Sequence, residues 1–270
     1  MKVTIITAGG AGMFCGSCMQ DNTLVRSLRL AGADAVLLPT YTPIRVDEEN
    51  QSSDRVFLGG LNVYLDSAIP GWSRLPSFLK RWLDHPAVIR QLSRFSGSTD
   101  ASKLGPLTID MLKGIHGPQR NSITELIDYL ATPGQADIIV FSNALISGII
   151  PELRRRFHGT LITILQGDDV FLDDLPLNYR TEAIRLIREN LATCDGLLAH
   201  SDYYADAMSD YLGVQRSLIQ KIPLTIDQAP EFPPAADEDQ KPVTLGYFAR
   251  LCPEKGVDRF LQAASRVISS

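Results

Sequence analysis

Residues able to do chemistry collect at four places in the chain. Cys15-Gly16-Ser17-Cys18 is a C-x-x-C closing a glycine-rich stretch, Gly9-Gly10-Ala11-Gly12, that follows the first apolar run at residues 3–6. Asn143 follows a second apolar run at 138–141, after Ser142, and Gln166-Gly167-Asp168-Asp169 directly follows a third at 161–165. Arg250 and Lys255 stand in the segment after residues 243–247. A glycine-rich turn leading from a strand into a helix offers backbone N–H groups to a phosphate or carboxylate and lets a ligand approach the backbone. Two thiols at a helix N-terminus can form a redox pair, because the dipole there lowers thiol pKa; plain loop thiols are the alternative. Ser17 and Gln20 have capping-box spacing, which predicts Ser17 as the N-cap with Asp21 in the first turn.

Several chemistries lack their residues. Gly10-x-Gly12-x-x-x-Gly16 has one residue too many for a dinucleotide-binding turn, and residues 35–38 run into Pro39-Thr40-Tyr41 without the acid that would hold a ribose. No Gly-Lys-Ser/Thr closes the loop as a Walker motif does. His85, His116, His158 and His200 are scattered, no G-x-S-x-G is present, and no second C-x-x-C completes a zinc site. Four cysteines in 270 residues do not make a disulfide framework. A net charge of -5 argues against a general nucleic-acid binder, and no apolar run matches a bilayer span. Residues 1–3 do not open a signal peptide, so the expected location is cytoplasmic.

The elements that must position these residues alternate in type. A strand at 3–6 leads through the glycine loop to a helix marked by Leu24, Val25, Leu28 and Ala31, which Gly32 ends before a second strand at 35–38. From residue 137 the order is strand 138–141, a helix from Ser147 toward Arg156, strand 161–165, a helix carrying Ile184, Ile187 and Leu191, and strand 197–199. Ser201 then caps a helix over 203–212 that Gly213 closes. Continuously apolar strands are buried on both faces, so the chain reads as α/β with a doubly wound parallel sheet. Ligands of such sheets bind at the carboxyl ends of the strands, where Gln166 and Asp168 fall.

Residues 41–121 read as an insertion. Gly59-Gly60 predicts a hairpin, and Phe78, Leu79, Trp82 and Leu83 share one face of a short helix opposite Lys80 and Arg81. That helix reads as packed on its own domain, with peripheral membrane or partner contact as the alternative. Helical patterns return at 107–115 and 122–131. Residues 228–242, with Pro230, Pro233, Pro234, Pro242 and Asp237-Glu238-Asp239, read as a linker between a first domain at 1–227 and a second beginning at 243. There a strand at 243–247 is expected to open another strand-loop-helix unit.

The segment around Arg250-Leu251 and Pro253-Glu254-Lys255-Gly256-Val257-Asp258 resembles the opening of the donor domain in GT-B glycosyltransferases of family 4, written G-R-L-x-x-x-K-G. Cys194-Asp195-Gly196 through Ser201, and Ile222-Pro223 to Ile226-Asp227, are similar to the stretch before that family's interdomain linker. Gly9-Gly10 with Leu24 to Tyr41 is similar to its first βαβ unit, especially in the glycogen and starch synthase branch. The resemblance implies a Rossmann-like N-terminal GT-B domain, followed by the first βα unit of a second, truncated Rossmann-like domain. It implies a retaining, metal-independent transfer from a nucleotide diphosphate sugar to a hydroxyl of a glycan, lipid or small molecule, with no further cofactor.

By the same resemblance Arg250 and Lys255 bind the donor diphosphate, and Gly10 and Gly12 face the same phosphates or make room for donor and acceptor. Gln166 stands where many members carry a histidine near the transferred sugar; it can hydrogen-bond a hydroxyl but cannot titrate near neutral pH. Asp168 or Asp169 would orient an acceptor hydroxyl, and Asn143 occupies a position often polar in the family. The remaining donor contacts would lie beyond Ser270, so this chain alone would lack activity. A non-catalytic sugar- or nucleotide-binding module and a thiol-redox protein built on Cys15 and Cys18 are the alternatives.

Overall fold

A computed structural model describes residues 1–9, 15–53, 56–58, 104–224, 244–249, 251 and 255–269. The chain divides into two compact units, Met1–Asp227 and Gln228–Ser270.

The first unit is an α/β, Rossmann-like layer structure around one six-stranded sheet. Its strands are β1 (Lys2–Thr7), β2 (Asp34–Pro39), β3 (Ile138–Phe141), β4 (Thr160–Leu165), β5 (Gly196–Ala199) and β6 (Ile219–Lys221). All pairings are parallel and the order is β2-β1-β3-β4-β5-β6. β1 lies one strand in from the β2 edge, with Val3 beside Ala35 on one side and Ile138 on the other. The chain moves one way from β1 to β2 and the other way from β3 onward. The order therefore reverses at the carboxyl ends of β1 and β3, which is where open parallel sheets hold ligands.

Each strand alternates between two apolar layers, which is why the sequence runs are apolar throughout. On one face Val3, Ile5, Ala35, Leu37, Val140 and Ile164 meet Cys18 and Val25 of α1 (Gly16–Leu30). On the other, Ile6, Leu38, Ile139, Phe141, Leu161, Leu165 and Leu197 form a larger core. It is filled by Leu112 of α2 (Gly105–Leu112), Leu126 and Leu130 of α3 (Arg120–Leu130), and Leu153 of α4 (Ile150–Arg156). After the short α5 (Asp168–Asp173), Ile187 of α6 (Leu177–Leu191) and Met208 of α7 (Asp202–Leu212) complete it. Burying each such side chain contributes about 1.5–3 kcal/mol, so this face dominates the stability of the unit.

The predicted caps follow the sequence with one exception. Ser201 accepts the Tyr204 amide at 3.1 Å, while Gly213 and Gly32 end their helices in the left-handed region. At α1 the capping residue is Cys15, not Ser17, and its side chain makes no cap hydrogen bond. Ser17 thus lies inside the first turn. Asp21 is one turn deeper than expected, buried rather than exposed to the dipole.

Other expectations are adjusted too. The helix expected from Ser147 is a 3-10 turn, Ala144–Ile149, that continues as α4. β6 has only three residues, too short to show a period, and exists because β5 offers it an edge. Of the insertion, Leu58 donates its amide to the Thr40 carbonyl at 2.8 Å and Phe57 stacks on Tyr129 at 4.9 Å. The hairpin at Gly59-Gly60 and the amphipathic segment at 78–83 lie outside the described residues.

In the second unit, α8 (Val257–Ser269) forms as expected, and Tyr247 packs on Phe260 at 5.5 Å. Of the strand expected at 243–247, the described residues 244–247 lie in no strand. A strand is defined by its ladder of hydrogen bonds to a neighbour, and apolar content alone does not supply one. No helix of the described residues is long and apolar enough to cross a membrane.

Candidate functional site

The reversal point of the sheet assembles a polar cluster from three strand ends and one helix. β1 ends at Thr7, whose carbonyl accepts both the amide and the hydroxyl of Thr40, at 2.8 and 3.0 Å. Gly9 then turns the chain with φ +87°; a Cβ there would lie 2.2 Å from the Thr42 carbonyl oxygen, so both the angle and the close approach require glycine. Beyond the loop, α1 brings Cys15, Cys18 and Asp21 back toward the end of β1. Just after β3 come Ser142 and Asn143, just after β4 Gln166, and from the first turn of α5 Asp168 and Asp169.

Asp168 ties two of these strand ends together. It is 2% exposed, accepting the Ala144 amide on Oδ1 at 2.8 Å and the Gln166 amide on Oδ2 at 3.1 Å. Burial pushes its carboxyl up to about 6, against those two amides, which favour the charged form. Asn143 likewise holds backbone in place, since its Oδ1 accepts the Leu145 amide at 3.1 Å and caps the 3-10 turn. Gly167 adopts φ +85° and donates its amide to the Tyr204 hydroxyl at 2.7 Å; that hydroxyl donates to Asp169 Oδ1 at 2.6 Å. Desolvation, reinforced by this carboxylate, raises the Tyr204 phenol far above its usual range.

Gln166 faces inward. Its amide nitrogen donates to the Ser142 carbonyl and approaches Asp21 Oδ1 at 3.4 Å. Asp21 is fully buried in the second turn of α1. Burial raises its carboxyl to about 7, although the hydroxyls of Thr7 and Ser142 and the amide of Gln166 all favour the charged form. Asp21 Oδ2 and Ser142 Oγ are both fully buried at this spot.

The thiols border the same cluster. The carbonyl of Cys15 accepts the Met19 amide at 3.0 Å, and the Thr7 hydroxyl donates to Cys18 Sγ at 3.8 Å. Cys15 is half-buried and Cys18 is 2% exposed. The Cys18 thiol, hydrogen-bonded to Cys15 Sγ, lowers Cys15 to about 5, while that pairing and burial drive Cys18 far upward.

Of the residues singled out from sequence, Gln166, Asp168 and Asn143 therefore converge at the reversal point. Lys255 is exposed in the second unit, where its carbonyl accepts the Tyr247 hydroxyl at 3.2 Å. Gly10, Gly12 and Arg250 lie outside the described residues. Sequence reasoning missed Thr7, Ser142 and Tyr204 as members of the cluster, and placed Asp21 only as a helix-dipole partner. No local pattern marks them: each is polar at the end of an apolar run or on a helix, and spatial convergence alone distinguishes it. Among the described residues no group of three or more His, Cys, Asp or Glu side chains could hold a metal ion. No protein-family model matches the chain, and no curated protein matches it either.

Proposed function

We propose that the chain belongs to a GT-B-type glycosyltransferase, in which Met1–Asp227 is the acceptor-side domain and Gln228–Ser270 opens the nucleotide-sugar domain. The observation that carries this reading is the reversed parallel sheet with polar groups gathered at the carboxyl ends of β1, β3 and β4. Such a place suits a hydroxyl-rich acceptor, because the amides of Asn143 and Gln166 and the Asp169–Tyr204 pair gather at the carboxyl ends of β3 and β4. The resemblance of Arg250-Leu251 through Lys255-Gly256 to the family's diphosphate-binding segment supplies the donor side. Two cations there would stabilise the charge that develops on a departing nucleoside diphosphate. The transfer would be retaining and need no metal, as in that family.

The test is a titration of nucleoside diphosphates and nucleotide sugars, followed by NMR, on the wild type and on Arg250→Ala and Lys255→Ala. The reading expects binding that depends on the diphosphate and weakens about tenfold in each variant, equal to about 1.4 kcal/mol. Binding that is absent, or indifferent to both substitutions, would refute it. Binding without sugar transfer to any hydroxyl acceptor, in a protein that includes a complete donor domain, would instead favour a non-catalytic module.

A further inference from the structure

We propose that Cys15 and Cys18 form a redox-active dithiol, in which Cys15 attacks a low-molecular-weight disulfide, Cys18 resolves the adduct, and buried Asp21 accepts the Cys18 proton. The proposal does not depend on the transferase reading.

Three features of the fold carry it. The C-x-x-C spacing spans the N-cap and first turn of α1, so its thiols share one side of the helix, at the end where the dipole favours a thiolate. They differ in access: Cys15 is half-buried while Cys18 is 2% exposed, so only Cys15 presents itself to an incoming disulfide. Beneath them lies the carboxylate of Asp21, fully buried beside the hydroxyls of Thr7 and Ser142. Asp21 follows Cys18 by three residues on the same helix face. The Thr7 hydroxyl stands between them, donating to Cys18 Sγ at 3.8 Å and favouring the ionised form of Asp21. A buried carboxylate near its midpoint at neutral pH is suited to take and release a proton. The titratable groups coupled to Asp21 are Cys15 at the N-cap of α1 and Cys18 in its first turn; β1, β3 and β4 present Thr7, Ser142 and Gln166, which are neutral.

The chemistry balances with one small-molecule disulfide as the oxidant. The Cys15 thiolate attacks one sulfur of R–S–S–R, forming a Cys15–S–R bond and expelling R–S⁻, which takes a proton from water. Cys18 gives its proton to Asp21 and attacks Cys15 Sγ, forming the Cys15–Cys18 disulfide and expelling the second R–S⁻. The dithiol loses two electrons and the oxidant becomes two thiols. Asp21 then releases its proton to solvent.

The test uses the whole protein in buffers of reduced and oxidised glutathione, with acid quenching, alkylation and mass spectrometry of the peptides. At pH 6 a thiolate of pKa about 5 outnumbers that of an unperturbed cysteine several-hundredfold. Its lower basicity cancels most of this, leaving Cys15 about tenfold faster toward iodoacetamide than a cysteine peptide. Cys194, half-buried like Cys15 but raised to about 11, should be the slow internal control. Oxidised glutathione should yield the Cys15–Cys18 disulfide in the wild type, and Cys18→Ser should stop at the Cys15–glutathione adduct. Asp21→Asn should form that adduct at the normal rate but resolve it about tenfold slower or more. Should Asp21→Asn fail to fold, the wild-type resolving step should still show a pH inflection near 7. The proposal is overturned by Cys15 labelling no faster than the peptide, by an adduct that persists in the wild type, or by resolution indifferent to Asp21 and to pH.

Discussion

Asp21→Asn should stabilise the protein in alkali and do far less in acid. The carboxyl is fully buried, and its pKa is raised from 3.8 to about 7, chiefly by desolvation. A carboxyl that is harder to ionise when folded binds more protons in the native state than in the unfolded chain between those two values. Its contribution to stability is therefore complete below pH 4 and is lost as pH rises through about 7. The whole loss corresponds to about 4 kcal/mol, of which about 3 falls between pH 5 and pH 8. Asparagine preserves the shape and cannot ionise. The stability difference between variant and wild type should move in the variant's favour by about 3 kcal/mol from pH 5 to pH 8.

Wild-type curves alone would obscure this, because Cys15 has the opposite sign. Its folded pKa of about 5 lies below its unfolded value of 9.0, so its contribution is present above the unfolded value and is lost as pH falls through 5. The comparison should therefore be made by urea unfolding of both proteins, under reductant, at each pH. A difference that stays constant from pH 5 to pH 8, or moves against the variant, would refute the account of Asp21 as a buried, costly carboxylate. Confirmation would also bear on the thiols, since a group that lowers stability at neutral pH is expected to persist where chemistry uses it.

Two substitutions probe the scaffold by similar melts. Gly148→Ala places a Cβ 2.2 Å from the Met111 carbonyl oxygen, where the turn after β3 meets the end of α2 backbone to backbone, and should destabilise by about 3 kcal/mol; a loss below about 0.5 kcal/mol would show that the contact yields. Ser201→Ala removes the acceptor of the Tyr204 amide at 3.1 Å and should cost about 1 kcal/mol, with Ser201→Gly costing only a few tenths. Equal losses for alanine and glycine would argue against capping as the cause.

The local rules that succeeded are those whose physics is local. Residues 138–141 and 161–165 were legible as buried parallel strands because residues facing both layers must be apolar, and β3 and β4 are found there. Ser201 and Gly213 were legible as the ends of α7 because a cap involves groups within one helical turn. The same rules misplaced the start of α1, where Cys15 holds the capping position that Ser17 was expected to take. Residues 244–248 show the limit most plainly: their apolar content suits a strand, but pairing is a property of two segments and not of one, and they lie in no strand.

By itself the sequence determined the alternation of strand and helix, the parallel sheet, the C-x-x-C at the start of the first helix, and the polar residues after β3 and β4. Those follow from periodicity and from chemistry within a few residues. Only the tertiary structure decided that Asp21 belongs with them. In the chain it is an ordinary acid on a helix, 145 residues from Gln166. The reversal of strand order between β1 and β3 carries it inside, among Thr7, Ser142 and Gln166, where loss of water changes its acidity. Burial depends on every element packed around a group, and no short stretch of sequence encodes it.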